Sequence, residues 1–209
     1  MEKLRARTSA EKEVRRLKLL KSARTIFSEN GFQGTKINMI TEHAGLSPAA
    51  FYLYFKSKME VYRLLSIDGT RILKDMISKA LSSEKGDCVQ LIKALSGAYF
   101  EFFLQEREYY EIISVHHLGQ KVFFENMNLV PQLEALSLEL LKILAEIIEE
   151  GIERKQLKKC DSWNTAVTLW GMMDGILLLE VRKTTGYTKT DINSLHSRFL
   201  ELCLDALRV

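Results

Sequence analysis

Proline is nearly absent from this chain: Pro48 and Pro131 are the only two in 209 residues. Proline is the strongest breaker of helices, and the β-branched residues are thinly spread rather than set in alternating runs, so long helices are favoured over sheets. The sequence therefore predicts an all-α fold. Its three cysteines, Cys88, Cys160 and Cys203, form no close pair and no CxxC spacing. Neither a disulfide framework nor a zinc cluster is indicated, and a reducing, cytoplasmic setting fits. No stretch approaches the roughly 20 apolar residues of a membrane span, and the basic N-terminus lacks an apolar signal region. Export and membrane insertion are not expected. Nucleophile elbow, phosphate loop and HExxH motif are also missing. His116 and His117 stand side by side, so on a helix they diverge by about 100° and do not converge on one metal or substrate. No catalytic residue, metal or cofactor is expected.

What is present is an uneven distribution of charge. The formal net charge is +3, but residues 1–60 carry 12 Lys/Arg against 6 Asp/Glu, a balance of +6, and residues 61–209 carry 18 against 21, a balance of −3. A basic module attached to a near-neutral one is what binding to a polyanion asks for.

Within the basic part, Leu19, Ala23, Ile26 and Phe27 fall at i, i+4, i+7 and i+8, one face of an amphipathic helix over Glu11 to Glu29. Asn30-Gly31 ends it, with Phe32 as the apolar contact past the end. Thr35 is placed as the N-cap of a second, short helix, in which Ile37, Ile40, Thr41 and Ala44 repeat at i, i+3, i+4 and i+7. Gly45 ends that helix, Ser47 caps the next, and Pro48 takes its first position, where a missing N–H costs nothing. In this third helix, Ser47 to Phe55, Phe51 and Phe55 face inward, as do Ile37 and Ile40 of the second. Ala49, Ala50, Tyr52 and Tyr54 are left nearer the outside. Two short helices joined by a glycine turn, the second small and polar at its start, make a helix-turn-helix. Ala49 and Ala50 let the helix approach the major groove closely, where a methyl meets a thymine methyl, and Ser47 offers a donor to phosphate.

The stretch Leu19 to Leu65 resembles the TetR/AcrR family of bacterial repressors. The resemblance is carried by Ala23-Arg24-Thr25-Ile26-Phe27-Ser28-Glu29-Asn30-Gly31-Phe32, by Ile40 to Ser47, and by Phe51-Tyr52-Leu53-Tyr54-Phe55-Lys56-Ser57-Lys58-Met59-Glu60. It implies a three-helix DNA-binding domain over 1–56 and a helical ligand-binding and dimerisation domain over 57–209. Position by position, it implies that Thr35 and Lys36 meet phosphate, that Ser47, Pro48, Ala49 and Ala50 lie at the bases, that Tyr52 and Tyr54 reach the sugar-phosphate backbone, and that Lys58 binds phosphate. Pro48-Ala49-Ala50 departs from the long basic base-reader followed by Gly-Thr or Gly-Ala that many relatives carry there, so readout would rest on apolar contacts and groove shape. The alternative for the two tyrosines is that they cover the edge of the core; Arg5, Arg7, Arg15 and Arg16 read as a solvated arm or face, with an arm reaching the minor groove as the alternative.

Beyond residue 57 a fourth helix is expected to about Leu81, with Val61, Leu65, Ile72, Met76 and Ile77 inside and Gly69 as a soft point. The polar run Ser82 to Asp87 marks a break. Apolar periodicity then predicts helices near 88–105, 107–118, 130–155, 161–184 and 189–207. The runs Glu149 to Leu157 and Leu169 to Ile176 resemble the turn and penultimate helix of the same family, whose last two helices pair across a two-fold axis. Trp170, Met173, Ile176, Leu177, Val181, Leu195, Phe199 and Leu202 would then form a homodimer interface, or alternatively intrachain core. A dimer asks for double-stranded DNA with an inverted-repeat operator. The aromatic-rich stretch from Tyr99 to Phe124 suggests a pocket for a small apolar or amphipathic effector, lined by Phe103, Tyr110, Ile113, His117 and Phe124; ordinary core is the alternative. Three other readings stay open: an enzyme built on His116, His117, Glu111 or Tyr110, a constitutive DNA-binding nucleoid or division factor, and an activator.

Overall fold

The computed structural model describes residues 9–117, 131–182 and 189–209. Among these residues every regular element is a helix: α1 (Ser9–Gly34), α2 (Ile37–His43), α3 (Pro48–Tyr52), α4 (Lys58–Ser83), α5 (Cys88–Gln105), α6 (Arg107–His117), α7 (Pro131–Glu153), α8 (Ser162–Val181) and α9 (Ile192–Leu207). The all-α expectation holds, and the helical segments expected from apolar period are found with ends shifted by a few residues.

The packing divides the chain into two compact units. The first comprises residues up to Gly69 together with Glu108–Leu129; the second comprises Thr70–Arg107 and Val130–Val209. Residues Lys58–Gly69 of α4 and most of α6 thus pack with the three N-terminal helices.

In the first unit the core joins Leu19, Leu20, Ala23, Ile26 and Phe27 of α1 to Ile40 and Ala44, to Phe51 and Phe55, to Val61, Tyr62 and Leu65 of α4, and to Ile112 of α6. Aromatic edges organise it: Phe27 meets Tyr62 edge-on at 5.0 Å between ring centres, and Phe32 meets the same ring at 5.1 Å. Tyr62 is buried, and its hydroxyl donates to the Ile112 carbonyl at 2.6 Å. Gly69 lies inside regular helix and is a point of close approach rather than a soft point. A Cβ there would come within 2.9 Å of both Ile113 Cδ1 and Tyr109 Cδ1.

The second unit is a helical bundle in which α8 packs on α7 and α9, and α5 packs on α7 and α9. Asp87 caps α5, accepting from the Gln90 N–H at 2.9 Å, and Asp161 and Asp191 do the same for α8 and α9 at 2.8 and 3.0 Å. The Leu157 and Arg208 backbones form a bridge that ties the turn after α7 to the end of α9, helped by the Lys158 N–H donating to the Leu207 carbonyl at 2.8 Å.

Candidate nucleic-acid interface

Glycine sets the path of the chain through this region. Regular helix breaks in α1 at Gly31, whose φ of 65° and ψ of 172° are open only to a residue without Cβ. At the end of α2 Gly45 takes φ 60°. The Gly45 N–H donates to the Glu42 carbonyl at 2.9 Å and the Leu46 N–H to the Thr41 carbonyl at 2.8 Å, the paired bonds of a Schellman ending. One residue later Ser47 caps α3 by accepting from the Ala50 N–H at 3.3 Å, with Pro48 at the first helical position. The turn between the two short helices is therefore closed on both sides by its own hydrogen bonds.

Regular α3 is shorter than the Ser47–Phe55 span expected, ending at Tyr52, but the Phe55 N–H still donates to the Phe51 carbonyl at 3.0 Å. Phe51 and Phe55 are buried. Lys36, Ser47, Pro48, Ala49 and Tyr52 are exposed, and Ala50 is half-buried. Tyr52 presents 61% of its surface, whereas Tyr54 is half-buried against the core. The outer face of α3 is thus small at its start and aromatic at its end.

Two expectations need correction. Thr35 is not the N-cap of α2: Lys36 holds that position, with extended backbone at φ −111° and ψ 149°. Thr35 is 1% exposed, and its hydroxyl donates inward, toward the carbonyls of Gly31 at 2.7 Å and Ile26 at 3.2 Å. It closes the end of α1 and does not offer its hydroxyl to phosphate. Lys58, expected to reach outward, spends two N–H donors on the carbonyls of Phe32 and Thr35, both at 2.6 Å, and lies 4.3 Å over the Phe32 ring. Partial burial pushes its ammonium pKa down. Its principal role is to pin the start of α4 to the connection between α1 and α2. Beside it, Ser57 accepts from the Glu60 N–H at 3.1 Å while Glu60 accepts from the Lys56 N–H at 2.6 Å.

Two further exposed side chains on this surface were not singled out from the sequence: Lys56, and Leu53 at 75% exposure. The signal was available. With Phe51 and Phe55 assigned inward, helical spacing sends Leu53 to the opposite side despite its apolar character.

α6 completes this unit through polar contacts to α1. Arg24 Nε donates to Glu108 at 2.6 Å, Thr25 donates to the other Glu108 oxygen at 2.8 Å, and the Ser28 hydroxyl donates to Glu111. The Arg24 guanidinium also lies 4.6 Å over the Tyr109 ring. Burial opposes its charge, but Tyr109 and Glu108 more than offset that and hold its pKa above the ordinary value.

The expected effector-site residues fall in different units. Phe103 is buried in the second unit, Tyr110 and Ile113 are buried in the first, and the His117 side chain and Phe124 lie outside the described residues. A cleft of 360 Å³ in the first unit has Lys56, Ser57, Met59, Glu60, Arg63, Leu64 and Ile67 in its lining. Among the expected interface residues, Met173, Leu177 and Phe199 are corrected to intrachain core, at 3%, 0% and 6% exposure. Trp170, Ile176, Val181 and Leu195 are half-buried and Leu202 is exposed, as are Trp163, Val167 and Met172. The second unit also holds a buried pair, Tyr99 donating to Asp174 at 2.9 Å, and a partly buried His196, which hydrogen-bonds Ser96 at 3.0 Å and stacks 4.2 Å from Phe100. Among the described residues no group of three or more His, Cys, Asp or Glu could hold a metal ion, and no helix is long and apolar enough to cross a membrane.

A core that joins α1–α4 and α6 and presents the short helix α3 outward after a glycine-closed turn defines a helix-turn-helix DNA-binding protein. Residues 19–65 match the model of the bacterial regulatory proteins of the tetR family. Residues 19–65 thus carry the DNA-binding signature of this family, and the chain is similar to transcriptional regulators that share it. It is 26% identical over 134 residues to IcaR of Staphylococcus aureus strain Newman, the negative transcriptional regulator of a biofilm operon, covering 64% of this chain and 69% of that one. Its fold is shared with FadR of Bacillus subtilis, solved in complex with stearoyl-CoA, at 19% identity and TM-score 0.71 over 91% of this chain and 98% of that one. The ketosteroid transcriptional regulator KstR2 of Mycobacterium tuberculosis is also similar, at 18% identity and TM-score 0.73 over 93% and 95%.

Proposed function

We propose that this protein is a cytoplasmic repressor that binds an inverted-repeat operator as a homodimer and is released by a small apolar or amphipathic effector. The observation that carries the reading is the outward face of α3. Ser47, Pro48, Ala49 and Tyr52 are exposed there on a scaffold held by buried Phe51 and Phe55. Small residues let the helix enter the major groove, while Tyr52, Lys36 and the remaining donor of Lys58 approach the sugar-phosphate backbone, with Tyr54 at the edge. Residues 1–56 read DNA and residues 57–209 sense the effector and dimerise. The negative regulation named for IcaR supports repression, and the stearoyl-CoA held by FadR supports an amphipathic effector. Pairing of α8 and α9 with their mates supplies the dimer, using the exposed Leu202 and the half-buried Trp170, Ile176, Val181 and Leu195.

The effector acts by binding better to a conformation whose two recognition helices no longer match the operator spacing, because only a difference in affinity between two states shifts their balance. The test is fluorescence anisotropy on the DNA upstream of the gene and on duplexes selected from the genome, over a salt series. Saturable binding of two chains per site, weakening steeply with salt and lost on scrambled DNA and in Tyr52→Ala, supports the reading. Binding indifferent to sequence on every duplex would overturn it. A screen of acyl-CoA thioesters and apolar acids against the bound complex then tests release.

A further inference from the structure

Leu53 is the most exposed leucine on the recognition element, with 75% of its surface open, next to Tyr52 at 61%. Its position follows from the helix. At about 100° per residue, Leu53 points about 180° away from the mean direction of Phe51 and Phe55. Those two rings are buried in the core, so Leu53 occupies the middle of the outer face. Helical geometry persists to this point, since Leu53 has φ −74° and ψ −19° and its N–H donates to the Ala50 carbonyl at 3.3 Å. Ala49 stands one turn earlier on the same side and is exposed. A methyl cannot shield a leucine from whatever the face meets, and Leu53 therefore projects beyond its neighbour.

We infer that Leu53 is a specificity-determining residue that reads a thymine methyl in the major groove. The inference rests on the DNA-binding reading above and deepens it. Leucine offers no donor or acceptor, so it cannot distinguish bases by hydrogen bonds. In the major groove the apolar feature among the four bases is the 5-methyl of thymine, which makes that methyl the partner a central leucine can select. Charge in the same unit suits a polyanionic occupant, since Lys36 and Lys56 are both exposed and free to meet phosphate. Alanine at 49 and 50 leaves room for the longer side chain to reach the base edge, and it supplies no competing polar readout at those positions.

The experiment uses the full chain, wild type and Leu53→Ala, on the duplex that the wild-type protein selects from random sequence. Each thymine in turn is replaced by deoxyuridine, which removes the 5-methyl and leaves the pairing unchanged. At one symmetry-related pair of positions, wild-type affinity is expected to fall about fourfold per half-site, the value of one buried methyl. Leu53→Ala is expected to bind the thymine duplex more weakly and to lose nothing further with uracil at that pair. Its thermal midpoint should be unchanged, because the side chain is outside the core. If Leu53→Ala keeps the full uracil sensitivity of the wild type, or if no uracil affects the wild type, the assignment falls while specific DNA binding stands. If the wild type selects no sequence at all, the DNA-binding reading falls with it.

Discussion

Arg24 in α1 and Glu108 at the start of α6, 84 positions apart in the chain, form a hydrogen-bonded ion pair of 2.6 Å, with side chains 26% and 33% exposed. Thr25 binds the second oxygen of the same carboxylate. A carboxylate that accepts from a guanidinium and a hydroxyl is a stronger tie than a surface ion pair, though residual exposure screens it. Glu108→Ala should lower the stability of the first unit by about 1–2 kcal/mol. Arg24→Ala and the double variant complete a cycle in urea denaturation. Additive losses would show that the pair is not coupled.

Because Val61, Tyr62, Leu65 and Ile112 complete the core around α1–α3, a fragment of residues 1–56 should not fold cooperatively. Circular dichroism on heating should show a broad, shallow change. A sharp transition would mean that the three N-terminal helices are sufficient by themselves.

Gly69 faces Ile113 and Tyr109 at contact distance. Gly69→Ala gains about 1 kcal/mol of helix propensity, but the new methyl must displace two side chains, one of them at Tyr109 Cβ, 3.2 Å away. Overpacking of this kind costs about 1–3 kcal/mol, so a net loss is expected in the denaturation midpoint. At Gly97, where a Cβ meets nothing within 4 Å, the same substitution should stabilise.

Leu177 and Leu202 should respond differently. Leu177 is fully buried in its own chain, and Leu177→Ala should cost about 2–5 kcal/mol of stability. Leu202 is 51% exposed, and Leu202→Glu should keep the fold while shifting sedimentation from dimer toward monomer. A dimer unchanged by Leu202→Glu would move the interface elsewhere.

Burial lowers the pKa of His196 below its ordinary value, so the folded second unit favours the neutral ring. The stabilising contribution is present above the unfolded value of about 6.5 and is lost as pH falls through the lower folded value. Between pH 7.5 and 5, the wild type should therefore lose stability that His196→Gln does not lose. Equal acid sensitivity in both would assign the effect to other groups.

Much of this was legible in the sequence because the relevant signals are local. The positive φ at Gly31 and Gly45, the Ser47 cap and Pro48 at the first helical position depend on residues within one turn of each other. The inward spacing of Phe51 and Phe55 is local in the same way. Thr35 is less legible, because a threonine before a helix can cap it or close the previous one, and burial beneath α1 decides for the second. Met173, Leu177 and Phe199 had the pattern of an apolar helix face, but a face packed within the chain and one packed on a second copy have the same period.

The sequence by itself determined that the fold is helical, where the helices lie to within a few residues, and that a short helix follows a glycine turn in a basic segment, since periodicity, caps and left-handed glycines act within a few residues. Only the tertiary structure decided that Glu108 and Glu111 bind α1 and that Lys58 turns inward onto two carbonyls. Those outcomes depend on which surfaces meet after long stretches of chain have closed, and no spacing in the sequence encodes the partner across such a gap.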